Sequence, residues 1–433
     1  MQETQLQTLN AGQEAAAEGF FEFLFSDKKE INISGPGGYG KTFLLGHMID
    51  TIMPRYFDTC KMMGLNPIYN SVVMTATTNK AAQVLSKATG QAAQTLHSFL
   101  ALKVFDDYTT GKTRITKTKA WKVHEGLIIF VDEAPMMDYE LHQFLMEGTS
   151  KCKIVYVGDQ YQLGPISEET APVYRMGLPI FELTEPVRNA EQPALMTLCD
   201  QMRETAKTGV FHPISLVPGV IERLDEHTMP LKIEEMLMDQ NHENMILAYT
   251  NDRVIDYNDH IRGMRQQPEE YQVGDRLINN NPYKTAVRMI SVEEELTIWS
   301  QASHTTLVTI EPGVQMEVRD TTLLSSLGGV FTSTLPVNRD HFRALIKYYT
   351  RKKDWATYFR LRGEFMDLRP RDASTIHKSQ GSTYDYAFID LGNLNTCTQP
   401  KVIARLLYVA VSRARRGIYL FGELSEKYGG SAA

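Results

Sequence analysis

From residue 31 to 190, short apolar runs alternate with stretches of helical period. INISG (31–35), SVVMTAT (71–77), GLIIFVDE (126–133) and KIVYVGD (153–159) predict strands that end in polar or glycine residues. Near-continuous apolar runs suit parallel strands buried on both faces. Chemistry in such sheets gathers at the carboxyl ends of the strands. Residues 101–125 break the alternation, and YTTGKTRITK, with Gly111 between its arms, predicts a projecting hairpin. NMILAYTND (244–252) opens a second strand series that DYAFIDL (385–391) and RGIYLFGEL (416–424) resume. Between them lies a strand-and-turn region, then a basic helical stretch from Arg339 to Arg362. The pattern therefore predicts an α/β chain of two parallel-sheet lobes. The first lobe takes 1–100 and 126–190, with the hairpin at 101–125. The second takes 191–275 and 366–433, with a β-rich insertion, SH3-like as one alternative, at 276–365. No internal repeat or long linker is visible.

At 433 residues the chain exceeds one compact domain. Its 42% hydrophobic and 22% charged residues are ordinary for a globular protein with a sizeable core. No apolar run approaches the eighteen or so residues of a membrane span, and MQETQLQTLNAGQ lacks the features of a secretory signal. The four cysteines, Cys60, Cys152, Cys199 and Cys397, have neither zinc nor disulfide spacing. Reduced thiols in the cytoplasm, without a membrane partner, are the expectation. A net charge of −7 argues against a wholly basic surface. It leaves room for a local nucleic-acid groove, because attraction fades within about 10 Å in salt.

GPGGYGKT, from Gly35 through Pro36, Gly37, Gly38, Tyr39, Gly40 and Lys41 to Thr42, matches the phosphate-binding loop between a strand and a helix. Its glycines let backbone N–H groups converge on phosphate oxygens, and the helix N-terminus adds positive potential. Lys41 is expected on the β- and γ-phosphates of ATP, and Thr42 on Mg2+. Asp132 and Glu133 end the apolar run LIIFV. A carboxylate there binds Mg2+, mostly through water, and its neighbour orients the attacking water. Alone, such an acidic pair is common. Gln162, in GDQYQLGPI, is a candidate either to sense the γ-phosphate or to bridge it to the bound strand, although alone the segment is an ordinary turn. Arg188, in ELTEPVRNA, and Arg413, in YVAVSRARRG, are candidate charges for the transition state.

In this order the segments resemble the motifs of superfamily-one helicases, in the RecD-like branch with its bacteriophage members. The likeness spans nearly the whole chain. It includes TATTNKAAQVLSKATG (75–90), TLHSFL (95–100), AYTNDRVIDYND (248–259), STIHKSQGSTYD (374–385) and LLYVAVSRARRG (406–417). STIHKSQG and YVAVSRAR discriminate most, because kinases and GTPases carry neither. The resemblance implies two RecA-like lobes, Gln13 reading adenine, and Gly381 in a turn facing the phosphates. It also implies Thr78, His97, Thr375 and His377 as strand contacts, each histidine having a buried, hydrogen-bonded role as its alternative. Thr77 and Gly164 stand where many relatives place proline, and the Asn-Gly turn expected in the insertion is missing. The implied activity is ATP-dependent strand separation in replication or recombination. The implied partners are single-stranded DNA and duplex junctions, with single-strand-binding or replication proteins, and the protein acts as a monomer in the host cytoplasm.

The short insertions are similar to those of the 5′-to-3′ branch. Within the hairpin, Phe105 or Tyr108 is the expected strand-splitting pin, since stacking on a base is worth about 1–3 kcal/mol. A half-buried aromatic in a surface turn is the alternative. The basic run Arg339, Arg343, Lys347, Arg351, Lys352 and Lys353 is either a DNA-facing helix or, somewhat better, a solvated face paired with acids. Two rival functions stand beside the helicase. One is a translocase that strips proteins from DNA with little unwinding. The other is a non-enzymatic, nucleotide-controlled binding module, against which the full hydrolytic set counts.

Overall fold

Each lobe is organised by one parallel sheet. The computed structural model describes residues 8–165, 168, 170–185, 192–239, 242–286 and 288–430. They form two compact units: one spans residues up to 103 and 116–191, the other 104–115 and 192 onward.

In the first unit the strands are β1 (Glu30–Ser34), β2 (Ser71–Ala76), β3 (Ala93–Thr95), β4 (Leu127–Asp132), β5 (Lys153–Gly158) and β6 (Ile180–Glu182). They lie in the order β6-β1-β5-β4-β2-β3, every pair parallel. The alternating side chains explain the continuous apolar runs. Ile128 and Phe130 of β4 enter one core with Phe20, Ile33 and Leu44. Ile129 and Val131 enter the opposite core with Leu96, Leu141 and Tyr156. A strand apolar at every position is what a sheet covered on both faces requires.

In the second unit the strands are β7 (Ile221–Leu224), β8 (Met245–Ala248), β9 (Ala373–Thr375), β10 (Tyr384–Asp390) and β11 (Ala414–Phe421). Their order is β7-β11-β10-β8-β9, again wholly parallel. Both lobes of the expected α/β architecture are therefore present.

The two sheets repeat one another, which corrects the reading that the chain has no internal repeat. Strands β2, β3 and β4 hold the places that β8, β9 and β10 hold in the second sheet. Short echoes follow from this: TTNK (77–80) and YTND (249–252), TLHS (95–98) and TIHK (375–378), FVDE (130–133) and FIDL (388–391).

Between β8 and β9 the chain forms an antiparallel sheet from Arg276–Asn279, Glu295–Gln301, Thr306–Glu311, Val314–Ser325 and Val330–Pro336, with Leu368–Pro370 added at one edge. The basic stretch is two helices, Arg339–Lys352 and Trp355–Glu364, parted where Lys353 turns to φ +57 and Asp354 caps the second. Phe342, Leu345 and Tyr349 bury the inner face against Met316 and Val318. Most of the basic side chains are paired: Arg339 and Arg343 with Asp259, Lys347 with Asp252, and Lys352 with Glu311. Four of the six basic side chains in the run thus have an acidic partner.

The predicted hairpin is formed by Leu102–Asp107 and Lys112–Lys117. Its tip, 104–115, belongs to the second compact unit. There Tyr108 meets Phe359 edge-on, with ring centroids 5.4 Å apart. Among the described residues no helix is long and apolar enough to cross a membrane.

Candidate active site and strand-contact segments

The phosphate loop leaves the carboxyl end of β1 and enters the helix Lys41–His47. Its glycines answer different needs. A Cβ on Gly35 would come within 2.9 Å of Leu183 Cβ, so packing excludes a side chain. Gly38 and Gly40 adopt φ +86 and +76, in the left-handed region that favours glycine. Gly37 faces open space, which lets backbone approach a ligand closely. Lys41 Nζ donates to Gly35 O at 2.6 Å and Pro36 O at 2.9 Å, so its amine lies at the mouth of the loop.

Asp132 ends β4, two strands from β1 in the same sheet. Burial and the neighbouring Glu133 carboxylate push its carboxyl well above the usual range, against a smaller lowering by Lys41. Glu133 N–H donates to Asp132 Oδ1 at 2.9 Å. Glu133 itself has φ +51, a sparsely populated conformation for a side-chain-bearing residue. Two adjacent carboxylates with Lys41 close by and Thr42 in the first helical turn fit a divalent cation. Such an ion offsets the repulsion that raises Asp132. Gln162 is buried at 6% exposure, and its N–H donates to Asp159 O at 3.0 Å.

Gln13 is fully buried and bonds both to its own helix cap and to the phosphate loop. It accepts from Asn10 N–H at 3.1 Å, and its Nε2 donates to Tyr39 O at 3.4 Å. This capping box ties the helix Ala11–Phe25 to the phosphate loop. Arg188 lies outside the described residues. Arg413, in the second unit, is 6% exposed. Its guanidinium donates to Val409 O at 3.1 Å, Ser382 O at 3.1 Å and Ser412 Oγ at 2.7 Å. Gly381 takes φ +75 between Ser379 and β10.

The strand-contact candidates sit at matching strand ends. Thr78 follows β2, is exposed, and caps the helix Asn79–Thr89 by accepting from Ala81 N–H at 3.2 Å. His97 lies on a short helix capped by Thr95, and Asp138 is nearby. His377 lies on the equivalent helix capped by Thr375, its ring 6.1 Å from that of Tyr249. Burial holds both histidines below their ordinary pKa, more than Asp138 raises His97. Both are thus neutral at pH 7, donors or acceptors rather than charges. Thr375 itself is 6% exposed. Phe105 and Tyr108 are each about half exposed, at 51% and 54%.

Several residues escaped the sequence reading. Thr250 caps the helix Asn251–Met264 as Thr78 caps its own, and Thr95 mirrors Thr375. Asn393 Oδ1 accepts from the Tyr249 and Thr250 N–H groups at 2.7 and 2.9 Å, fixing that turn. The recurrence of T-L-H and T-I-H was the available signal. Thr77 uses the two donors that a proline lacks: its N–H reaches Asp132 O at 3.2 Å and its hydroxyl Glu133 O at 2.9 Å.

Residues 8–214 match the AAA domain family, and residues 372–421 the UvrD-like helicase C-terminal domain. The chain is 23% identical over 463 aligned residues to the ATP-dependent DNA helicase dda of Enterobacteria phage T4, covering 95% of this chain and 98% of that one. Its fold is similar to that of a Bacteroides Pif1 helicase in complex with ADP-AlF3 and ssDNA, with TM-score 0.51, 15% identity, and coverage of 98% and 94%. A second Bacteroides Pif1 structure, bound to ssDNA, aligns with TM-score 0.50 and 14% identity over 96% and 92%. Two parallel-sheet lobes, a phosphate loop beside an acidic strand end, and these two domain matches in order support the superfamily-one helicase family for this chain.

Proposed function

We infer that this protein hydrolyses ATP to move 5′-to-3′ along single-stranded DNA and separate duplex strands. One observation carries the reading. Lys41, Asp132 and Gln162 all lie at or just after strand ends of one parallel sheet, and a second sheet of matching strand order carries its own strand-end threonines and a histidine. A switch that only binds nucleotide needs no such second set.

In this reading the loop N–H groups and Lys41 hold the β- and γ-phosphates, and Gln13 borders the adenine. Thr42 and Asp132 would hold Mg2+, which supplies charge neutralisation on the phosphate oxygens. Glu133 orients the attacking water, Gln162 senses the γ-phosphate, and Arg188 and Arg413 meet the developing charge. Gly381 lets backbone approach the phosphates. Thr78, His97, Thr375 and His377 hold the strand, and Phe105 or Tyr108 splits the junction. Nucleotide favours one conformational state over another only through differential contacts, and that difference drives each step. The phage relative supports a setting in DNA replication or recombination within a host cytoplasm. There the protein acts as a monomer alongside single-strand-binding proteins.

The test is unwinding of matched duplexes carrying a 5′ or a 3′ single-stranded tail, with ATP and Mg2+. Opening of the 5′-tailed duplex alone is expected. Opening of only the 3′-tailed duplex reverses the polarity. If neither opens while single strands still stimulate hydrolysis, the protein is a translocase.

A further inference from the structure

Glu133 is held by its main chain in an unusual way. At φ +51 it occupies a region that side-chain-bearing residues rarely populate, so its surroundings must fix it there. Its carbonyl accepts two hydrogen bonds, from Met136 N–H at 3.0 Å and from the Thr77 hydroxyl at 2.9 Å. The first closes a local turn. The second reaches across from the end of β2, a contact between segments 56 residues apart.

Thr77 also donates its N–H to Asp132 O at 3.2 Å. That bond extends the parallel ladder in which Ala76 is the partner of Asp132, so any residue but proline supplies it. The hydroxyl bond is different, because only serine or threonine provides it in that place. The next residue, Thr78, is exposed and opens the helix Asn79–Thr89 with its side chain as cap. One peptide unit thus separates a candidate strand contact from the group that fixes the candidate water-orienting carboxylate.

We propose that Thr77 is a positioning residue, whose hydroxyl transmits strand engagement at Thr78 to Glu133 and so couples single-stranded DNA to the rate of ATP hydrolysis. The proposal rests on the helicase reading above. A strand gripping the 78–79 turn fixes the end of β2, and the Thr77 hydroxyl fixes the Glu133 peptide with it. Without that bond the peptide keeps only its local turn and samples other conformations. The carboxylate then spends less time aimed at the attacking water. Binding of ATP and of DNA, which depend on the phosphate loop and on Thr78, is untouched.

The experiment compares wild type, Thr77→Val and Thr77→Ser. Valine keeps the shape and removes the hydroxyl, and serine restores it. ATP turnover is measured without DNA and with saturating oligo-dT, together with KM for ATP, Kd for labelled oligo-dT, and melting temperature. One neutral hydrogen bond is worth about a threefold to tenfold change in a population. Thr77→Val is therefore expected to lose about threefold to tenfold in strand-saturated kcat. KM for ATP and Kd for oligo-dT should stay within about twofold, and Thr77→Ser should recover wild-type kcat. If valine does not fold, Thr77→Ala against Thr77→Ser gives the same contrast. Wild-type kcat in Thr77→Val overturns the proposal, and so does an equal loss in valine and serine. A loss explained by weaker DNA or ATP binding also overturns it. If wild type itself shows no stimulation by oligo-dT, the helicase reading fails first, and Thr77 has nothing to transmit.

Discussion

Gly111 gives the sharpest test of the hairpin. It sits in the turn between the two hairpin strands with φ +70, and its N–H donates to Asp107 O at 2.8 Å. A Cβ built there would lie 2.4 Å from Trp355 Cδ2 and 2.5 Å from Cε2. Carbon atoms pack at about 3.5–4.0 Å, so Gly111→Ala obliges the tip and the indole to part by roughly 1 Å. Left-handed backbone adds about 1–2 kcal/mol for an alanine. Parting the tip also loosens the edge-on pair of Tyr108 and Phe359, worth about 0.5–1.5 kcal/mol. Together these make roughly 2–3 kcal/mol, or about a thirtyfold to hundredfold fall in the docked population at 1.4 kcal/mol per tenfold. A two-stranded hairpin is marginal by itself, so once undocked it has little rigidity with which to split a junction. The assay is unwinding of the 5′-tailed duplex beside ATP turnover on single strands, with Thr110→Ala as a control at an exposed neighbour. Gly111→Ala is expected to unwind at least tenfold more slowly, with strand-stimulated turnover within about twofold of wild type. Unwinding at the wild-type rate would refute the argument that a docked tip is the pin. An equal loss of unwinding and turnover would refute its separation from the motor.

Two further perturbations follow. Arg413→Ala should lower strand-stimulated turnover by about 10³–10⁵ while a non-hydrolysable ATP analogue still binds. It should also melt earlier, because the Val409 and Ser382 carbonyls lose their donor at about 1–3 kcal/mol each. Wild-type turnover below the melting range would remove Arg413 from the chemistry. For His97 and His377 burial depresses the pKa, so the folded state takes up a proton less readily than the unfolded chain. Their contribution is present above about pH 6.5 and is lost as pH falls below it. Chemical denaturation of His97→Gln/His377→Gln between pH 7.5 and 5 should lose less stability than wild type, and an equal slope would show that neither histidine resists protonation.

The phosphate loop and the acidic strand end were legible because each combines a sequence pattern with a strand end. GPGGYGKT after INIS and DE after LIIFV leave few other structures open, since parallel strands must be apolar throughout and must end in the residues that do chemistry. The basic helix was half legible. Its charge spacing was plain, but the acids that neutralise it, Asp259 and Glu311, come from elsewhere in the chain, and no local pattern announces them. The repeat escaped because the echoes are only four residues long and are separated by segments of unequal length. In the sequence Thr77 is marked only by standing where many relatives place proline. Its gain, a hydroxyl on Glu133 O, exists only once β2 and β4 are side by side.

The repeat also sets two unlike acidic strand ends at equivalent places. Asp132 and Asp390 end equivalent strands, yet their surroundings differ. Asp390 Oδ2 accepts from Arg253 Nε at 2.8 Å and the Tyr257 hydroxyl at 2.7 Å, and Oδ1 from Asn393 N–H at 2.8 Å. Its lone pairs are committed to a cation already within the fold, so it has little left for a metal. Asp132 has a second carboxylate as its neighbour instead, which makes an external cation favourable. The loops differ in the same sense. After β1 the chain offers glycines and Lys41. After β7, which holds the equivalent place, Asp225 Oδ1 accepts from His227 and Thr228 N–H at 3.0 and 2.8 Å, so a carboxylate closes that turn. The second sheet therefore keeps the strand-end caps of the first, Thr250 and Thr375 for Thr78 and Thr95, and spends its charged groups on holding them still. Asn393 bonds Asp390 on one side and the Tyr249–Thr250 turn on the other. Asp390 and Asn393 together brace that turn.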